Sequence, residues 1–267
     1  MTNTMTVTSP TPKLKLERDG HVAIITIDNP AANTWDGDSL PGLKKIVEGL
    51  NADKNIYALV VTGAGDKFFS AGADLKMFAD GDKDNARRMA DAFGEAFESL
   101  ADFRGVAIAA VNGYAMGGGL EFALACDIRV VEEQAQMALP EARVGLLPCA
   151  GGTQRLSWLV GEAWASKMIL CNERITAATA EKIGLAQEVV PRGESLKRAV
   201  ELAHQVAKQS PSSVTACKKL IRGARERAMN PQLPHERELF VDLFDTQDQV
   251  EGVQAFLEKR EPEWKNA

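Results

Sequence analysis

Apolar positions recur along the chain with two periods, and the switches between them mark the elements. From Leu14 to Glu17 apolar and polar residues alternate, Asp19-Gly20 signals a tight turn, and Val22 to Ile27 is a β-branched run, so a hairpin is expected. Asn29-Pro30 breaks the second strand and opens a loop through Trp35. Ser39 is the expected cap of a helix with Pro41 near its start, and Leu43, Ile46, Val47 and Leu50 then recur at helical spacing. Tyr57 to Thr62 reads as a strand closed by Gly63-Ala64-Gly65. Asp74 is placed to cap a short helical turn, and Asp80 to Asp84, charged and glycine-containing, reads as an exposed, mobile loop. A helix is expected over 85–102, with Met89, Phe93, Phe97 and Leu100 on one face. Val106 to Val111 is a buried strand, Leu120 to Ala125 suits a buried helix ending near Cys126-Asp127, and Ile128 to Val131 is another strand. Farther on, Gly184 ends a helix, Val189-Val190-Pro191 is a short strand, and Leu196 to Gln209 and Ser212 to Met229 are amphipathic helices parted by Pro211. Pro231 and Pro234 precede two closing helices, with Leu239, Phe240, Leu243 and Phe244, then Val250, Val253, Phe256 and Leu257, as apolar faces.

Strands and helices thus alternate over the first two-thirds of the chain, and helices dominate the last third. That order favours an α/β core with parallel strands. The C-terminal helices carry more apolar face than a small lobe buries, which points to self-association. Composition narrows the function. A length of 267 residues supports one large domain, and a formal net charge of −6 argues against a general nucleic-acid binder. The four cysteines, Cys126, Cys149, Cys171 and Cys217, lack any CxxC spacing and read as reduced thiols in a cytoplasmic chain. Three scattered histidines make a histidine-based metal centre improbable, and no metal is expected. Residues 1–12, rich in Thr and Pro, read as a disordered tail, and no apolar run approaches the roughly 20 residues that span a bilayer, so no membrane partner is expected.

The candidate chemistry lies in two glycine-containing turns that follow strands. Asn112 to Glu121 reads Asn-Gly-Tyr-Ala-Met-Gly-Gly-Gly-Leu-Glu: a strand feeding three glycines and then a helix, which exposes backbone N–H groups at a positive helix end. Such a place holds a negative charge, on a phosphate or a developing oxyanion, and the nearby Glu121 makes phosphate the less comfortable choice. The other turn spans Ser70 to Asp74. If Ala73 and Gly118 aim their N–H groups into one cavity, they form a two-donor oxyanion hole, and Glu121 with Glu141 supplies two carboxylates able to divide acid and base roles. Taken singly, a Gly-Gly-Gly turn is more often tight packing and a first-turn Glu more often a dipole partner; the case rests on their joint occurrence. Other constellations fail. Gly63-Ala64-Gly65 lacks the third glycine of a dinucleotide fingerprint, Phe68 stands where a nucleophile elbow needs glycine, and no Walker lysine follows the glycines at 117–119.

Phe-Ser-Ala-Gly-Ala-Asp-Leu-Lys (69–76), Asn-Gly-Tyr-Ala-Met-Gly-Gly-Gly-Leu-Glu (112–121), Cys-Asp-Ile (126–128) and Pro-Glu-Ala-Arg-Val-Gly-Leu-Leu-Pro (140–148) resemble the enoyl-CoA hydratase/isomerase, or crotonase, family. Ala-Gly-Gly-Thr-Gln-Arg-Leu (150–156) and Phe-Leu-Glu-Lys-Arg (256–260) extend the likeness over nearly the whole chain from about Leu14. The resemblance implies an α/β spiral of repeated ββα units over 13–195 and a helical trimerisation region over 196–267, assembling as a homotrimer or a homohexamer. It places Ala73 and Gly118 at the oxyanion hole. Glu121 and Glu141, 20 residues apart as in the family's hydratases, match the glutamate pair. Glu121 would activate water toward Cβ and Glu141 would protonate Cα, both holding the water. Lys76 matches a position contacting the CoA phosphates, and Lys259 a C-terminal lysine that reaches the CoA moiety, in some relatives from a neighbouring subunit. Backbone near Ala32 and Ala71, with Asp74 and Leu75 beside Lys76, would border the rest of CoA.

The implied reaction is reversible syn-addition of water to a trans-2-enoyl-CoA, giving a 3-hydroxyacyl-CoA, in the cytoplasm and without a cofactor beyond the CoA of the substrate. The family's simple isomerases generally need only the residue matching Glu141, whereas hydration needs groups to activate water and to protonate carbon. An isomerase or a specialised acyl-CoA hydratase or lyase is the alternative activity. A non-enzymatic RNA- or CoA-ester-binding paralogue is the alternative from another class, and the acidic charge and intact glutamate pair speak against it. Cys149 stands where many relatives have glycine and is expected to shape the pocket, whose acyl part Met77, Phe78 and Met116 are candidates to line.

Overall fold

The computed structural model describes residues 7–78, 82–224, 242 and 245–267. Strands β1 (Leu14–Asp19) and β2 (Val22–Ile27) form the expected hairpin, with Asp19 opposite Val22 and Gly20 at φ 59° in the turn. After α1 (Ser39–Ala52) the chain repeats one manoeuvre three times. A long strand enters the main sheet, a short strand enters a second sheet, and a helix returns. The units are β3 (Ala58–Gly63), β4 (Phe68–Ser70) and α2 (Lys83–Ala101); β5 (Val106–Val111), β6 (Tyr114–Met116) and α3 (Gly118–Ala125); and β7 (Ile128–Glu132), β8 (Gln136–Ala138) and α4 (Gly152–Ile169). Then come β9 (Ile175–Thr176), α5 (Ala177–Lys182), β10 (Glu188–Val190), α6 (Ser195–Ala207) and α7 (Pro211–Gly223). The main sheet has the order β1-β2-β3-β5-β7-β10, parallel from β2 onward, and the second the order β4-β6-β8-β9. This is the ββα spiral that the family resemblance implies, built on the parallel α/β core expected from the alternation of elements.

The apolar runs in β3 and β5 are continuous because both faces of the main sheet are covered. Leu59, Val61, Ala107, Ala109 and Val111 face the large core beneath α1, α2 and α3. Ala58, Val60, Ile108 and Ala110 face the other way, against Ala199 and Ala203 of α6. Helix α6, assigned above to the C-terminal helical region, therefore packs on the sheet. Three aromatic rings surround Phe122 of α3: Trp35 at 4.8 Å, Phe97 at 5.4 Å and Phe69 at 5.7 Å between centroids. The loop before α1, β4, α2 and α3 thus meet at the residue that follows Glu121.

Several boundaries differ from expectation for physical reasons. Ser39 lies inside α1, because Asp36 Oδ1 accepts the N–H groups of Asp38 and Ser39, both at 3.0 Å, while the Asp36 N–H donates to Ser39 Oγ. Helix α2 starts at Lys83, within the expected loop, because Asp82 accepts the Asn85 N–H at 2.6 Å as its cap. Residues 7–12, expected in the disordered tail, lie along α1: Thr11 is buried and Val7 packs against the core. Gly184, with φ 81°, closes α5 as expected. The closing helix carrying Leu239, Phe240, Leu243 and Phe244 and the end of the helix to Met229 fall outside the described residues, as do the side chains of Phe78, Phe256 and Leu257. No helix among the described residues is long and apolar enough to cross a membrane.

Helix α7 is tied to the N-terminal end of β5. Lys218 Nζ donates to the carbonyls of Phe103 and Gly105 and pairs with Asp127 at 2.7 Å, and Arg222 pairs with the same aspartate at 2.8 Å. Replacing Phe122 by Ala is expected to lower stability by about 3–5 kcal/mol, since the ring is fully buried among three others. Denaturant unfolding checks this, and Phe122→Leu should recover a large part of the loss.

Candidate active site

The first turn is set by a single parallel bridge between Trp35 and Ala73. The Trp35 N–H donates to the Gly72 carbonyl at 2.8 Å, and the Asp74 N–H donates to the Trp35 carbonyl at 3.0 Å. The bridge uses the groups on either side of Ala73 and turns the N–H of Ala73 away from Trp35. The second turn starts α3. Gly117 adopts φ 54° and ψ −127°, and its N–H donates to the Ala138 carbonyl at 2.9 Å. Gly118 is the first helical residue, so its N–H has no acceptor within the helix. The two turns touch directly: a Cβ built on Gly72 would lie 3.0 Å from the Gly118 nitrogen, and one on Gly118 would lie 3.7 Å from the Ala73 nitrogen. Two backbone donors therefore border one space at a helix N-terminus.

Both glutamates face that space, in different surroundings. Glu121 is buried on α3, and its Oε1 accepts the N–H groups of Ala150 at 2.8 Å and Gly152 at 2.9 Å. Burial raises its pKa, and the two N–H donors and the Arg155 charge pull it back. Glu141, half-buried, opens a 3-10 turn, Glu141–Val144, after Pro140. Its Oε2 is buried with no hydrogen-bond partner among the described residues. Burial first, and then the Glu121 charge, push the Glu141 carboxyl up to about 7. Cys149 lines the same cavity, as expected; the residue as a whole is exposed, but burial of its thiol first, and then the two glutamates, push the thiol up to about 11, so it stays protonated at neutral pH. The cavity has a volume of about 430 Å³, and Ala71, Ala73, Gly117, Gly118, Glu121 and Glu141 line its inner part.

Comparison with known proteins places the whole chain. The family described as enoyl-CoA hydratase/isomerase matches residues 17–267. The chain belongs to the enoyl-CoA hydratase/isomerase family. It is 41% identical to the 2,3-dehydroadipyl-CoA hydratase of Escherichia coli strain K12 over 95% of this chain and 98% of that one. It is 36% identical to the short-chain-enoyl-CoA hydratase of Clostridium acetobutylicum over 93% and 95% of the two chains. Among solved structures, Pseudomonas aeruginosa DspI shares 66% identity with a TM-score of 0.95, covering 98% of this chain and all of that one. An enoyl-CoA hydratase from Bacillus anthracis shares 34% identity with a TM-score of 0.92, over 96% and 100%.

The remaining residues that the family resemblance singles out divide into two groups. Ala32 and Ala71 are adjacent, the Ala71 N–H donating to the Ala32 carbonyl at 2.9 Å. Asp74 caps the 3-10 turn Leu75–Phe78 by accepting the Lys76 N–H at 3.1 Å. Leu75 lines the cavity, while Lys76 is exposed beside it. Lys259 is not among the described residues that line the cavity. It follows the helix Gln247–Glu258, whose tail docks through Trp264 on the Lys208 carbonyl and Asn266 on the Lys54 carbonyl, at the N-terminal edge of the sheet. The expected apolar lining also changes. Met77 packs against the core and Met116 is not among the lining residues, whereas Phe93, Val144, Leu146 and Leu147 are. Their signal in the sequence was faint, because Phe93 reads only as a helix face and 142–147 has no periodicity.

Glu141 yields a check on the electrostatics. Its folded pKa of about 7 lies above the ordinary 4.5, so the native state holds the extra proton and stability falls as pH rises from about 4.5 through 7. Glu141→Gln removes that titration. Its stability relative to the parent is expected to improve by about 1–2 kcal/mol between pH 4 and 8, a figure discounted for partial exposure. Urea unfolding at both pH values measures it.

Proposed function

We propose that this protein is an enoyl-CoA hydratase, adding water reversibly across the double bond of a trans-2-enoyl-CoA. The observation that carries the reading is the pair of glutamates on one cavity, one held by two N–H donors and the other poised to keep its proton, beside two backbone N–H groups that have no acceptor among the described residues. The thioester oxygen sits against the N–H groups of Ala73 and Gly118, which act as an oxyanion hole and take up charge as the enolate forms. Ionised Glu121 accepts a proton from water as the water oxygen bonds to Cβ. Protonated Glu141 delivers its proton to Cα. One proton enters the pair and one leaves it, so a proton passing from Glu121 to Glu141 resets the site. Proton transfer of this kind requires no cofactor beyond the CoA carried by the substrate.

Lys76 and the backbone at Ala32 and Ala71 receive the CoA moiety, and Lys259 serves a neighbouring subunit's site in a cytoplasmic trimer or dimer of trimers. Exposed Trp158, Leu170, Ile221 and Val253 supply apolar surface for such an assembly. Leu75, Val144 and Leu147, each about half exposed or more, form an apolar wall leading out of the cavity and suit an uncharged acyl chain.

Glu121→Gln and Glu141→Gln are each expected to lower kcat for crotonyl-CoA hydration by about a thousandfold, with acyl-CoA affinity changed only a few-fold. Loss of absorbance at the conjugated thioester band reports turnover; full activity in both variants would sink the assignment. An isomerase would instead keep its activity in Glu121→Gln. In the parent, kcat/KM for hydration should fall above pH about 7, as Glu141 loses its proton. Across crotonyl-, hexenoyl- and decenoyl-CoA, kcat/KM is expected to rise by about threefold per methylene laid on the apolar wall.

A further inference from the structure

The two N–H groups that hold Glu121 belong to one tight turn, and a single side chain fills the inside of that turn. Arg155, one turn into α4, donates from Nη1 to the Ala150 carbonyl at 2.8 Å. Its Cζ lies 3.0 Å from where a Cβ on Gly151 would be, so the guanidinium occupies the space that this glycine leaves open. The Arg155 N–H donates to the Gly151 carbonyl at 2.8 Å, and Gly151 takes φ 93°, a conformation that side-chain-bearing residues rarely adopt. Ala150 is thus gripped from both sides, its N–H by Glu121 and its carbonyl by Arg155.

We propose that Arg155 is a positioning residue: it locks the 150–152 turn so that the N–H groups of Ala150 and Gly152 converge on Glu121. The inference rests on the hydratase reading above and extends it to a residue that does not line the cavity. The charged and titratable groups around Glu121 are Arg155 from α4, Glu141 and Arg143 from the turn after β8, and Cys149. Burial raises the Glu121 pKa most, and after the two N–H donors the Arg155 charge acts in the direction that favours the carboxylate. An arginine suits the task because its planar fork both donates to a carbonyl and lies flat over a glycine.

The test compares Arg155→Met, Arg155→Lys and Gly151→Ala with the parent. In Arg155→Met the acidic limb of kcat/KM for crotonyl-CoA hydration should move up by about half to one pH unit, with kcat about tenfold lower and KM within about twofold. Arg155→Lys keeps the charge without the fork, so it should restore the limb but not kcat. Gly151→Ala keeps the arginine but pushes the guanidinium out, and should reproduce the loss in kcat even if Arg155→Met fails to fold. Infrared difference spectra against Glu121→Gln read the Glu121 carboxylate band through the same pH range without turnover. A parent that hydrates no enoyl-CoA defeats the hydratase reading, and the infrared titration still decides the role of Arg155. Folded Arg155→Met and Gly151→Ala proteins whose limb, kcat and carboxylate band match the parent would overturn the proposal, as would a lowered unfolding midpoint with the limb in place.

Discussion

Backbone packed against backbone, with no side chain between, is the contact on which the site depends. A Cβ on Gly72 would come within 2.6 Å of the Met116 carbonyl oxygen, and one on Gly119 would overlap the Ser70 carbonyl. Glycine at these positions lets the turn after β4 and the start of α3 interlock, and their approach brings the N–H groups of Ala73 and Gly118 to one space. The same contact fixes where α3 begins, and hence where Glu121 points. The ring cluster around Phe122 holds the arrangement from behind, where apolar burial is strongest.

The second theme is how one cavity gives two identical side chains different tasks. Burial disfavours charge on both glutamates, but Glu121 receives two backbone donors and Glu141 Oε2 receives none among the described residues. Hydrogen bonds to a carboxylate favour its charged form, so the proton settles on Glu141. The Glu121 charge adds to burial in raising the Glu141 pKa. Cys149 follows the same rule, its thiol kept protonated by burial first and then by the two glutamates.

Much of this was legible in the residues. The long strands announced themselves as β-branched runs, the α/β alternation implied parallel pairing, and the glycines with Glu121 and Glu141 marked the site through their order along the chain. What escaped was short or mutual. The strands β4, β6, β8 and β9 run two to three residues, too few for periodicity, so the second sheet was not visible before the fold was. Ser39 is the first residue of α1 and not its cap, because it exchanges a reciprocal pair of hydrogen bonds with Asp36. The pocket wall passed from Met77 and Met116 to Phe93, Val144, Leu146 and Leu147, since cavity lining depends on how elements cross.

By itself, then, the sequence determined the α/β class with its parallel strands and the identity of the groups able to do acid–base chemistry, because these rest on local patterning and side-chain type, whereas the ββα rhythm came from the family resemblance. Tertiary structure alone decided that the Ala73 and Gly118 donors share one space, that Glu121 and Glu141 differ in burial and hydrogen bonding, and which apolar residues line the cavity. Those outcomes depend on distances between segments far apart in sequence and on the burial that packing imposes, and neither is written in any single stretch of residues.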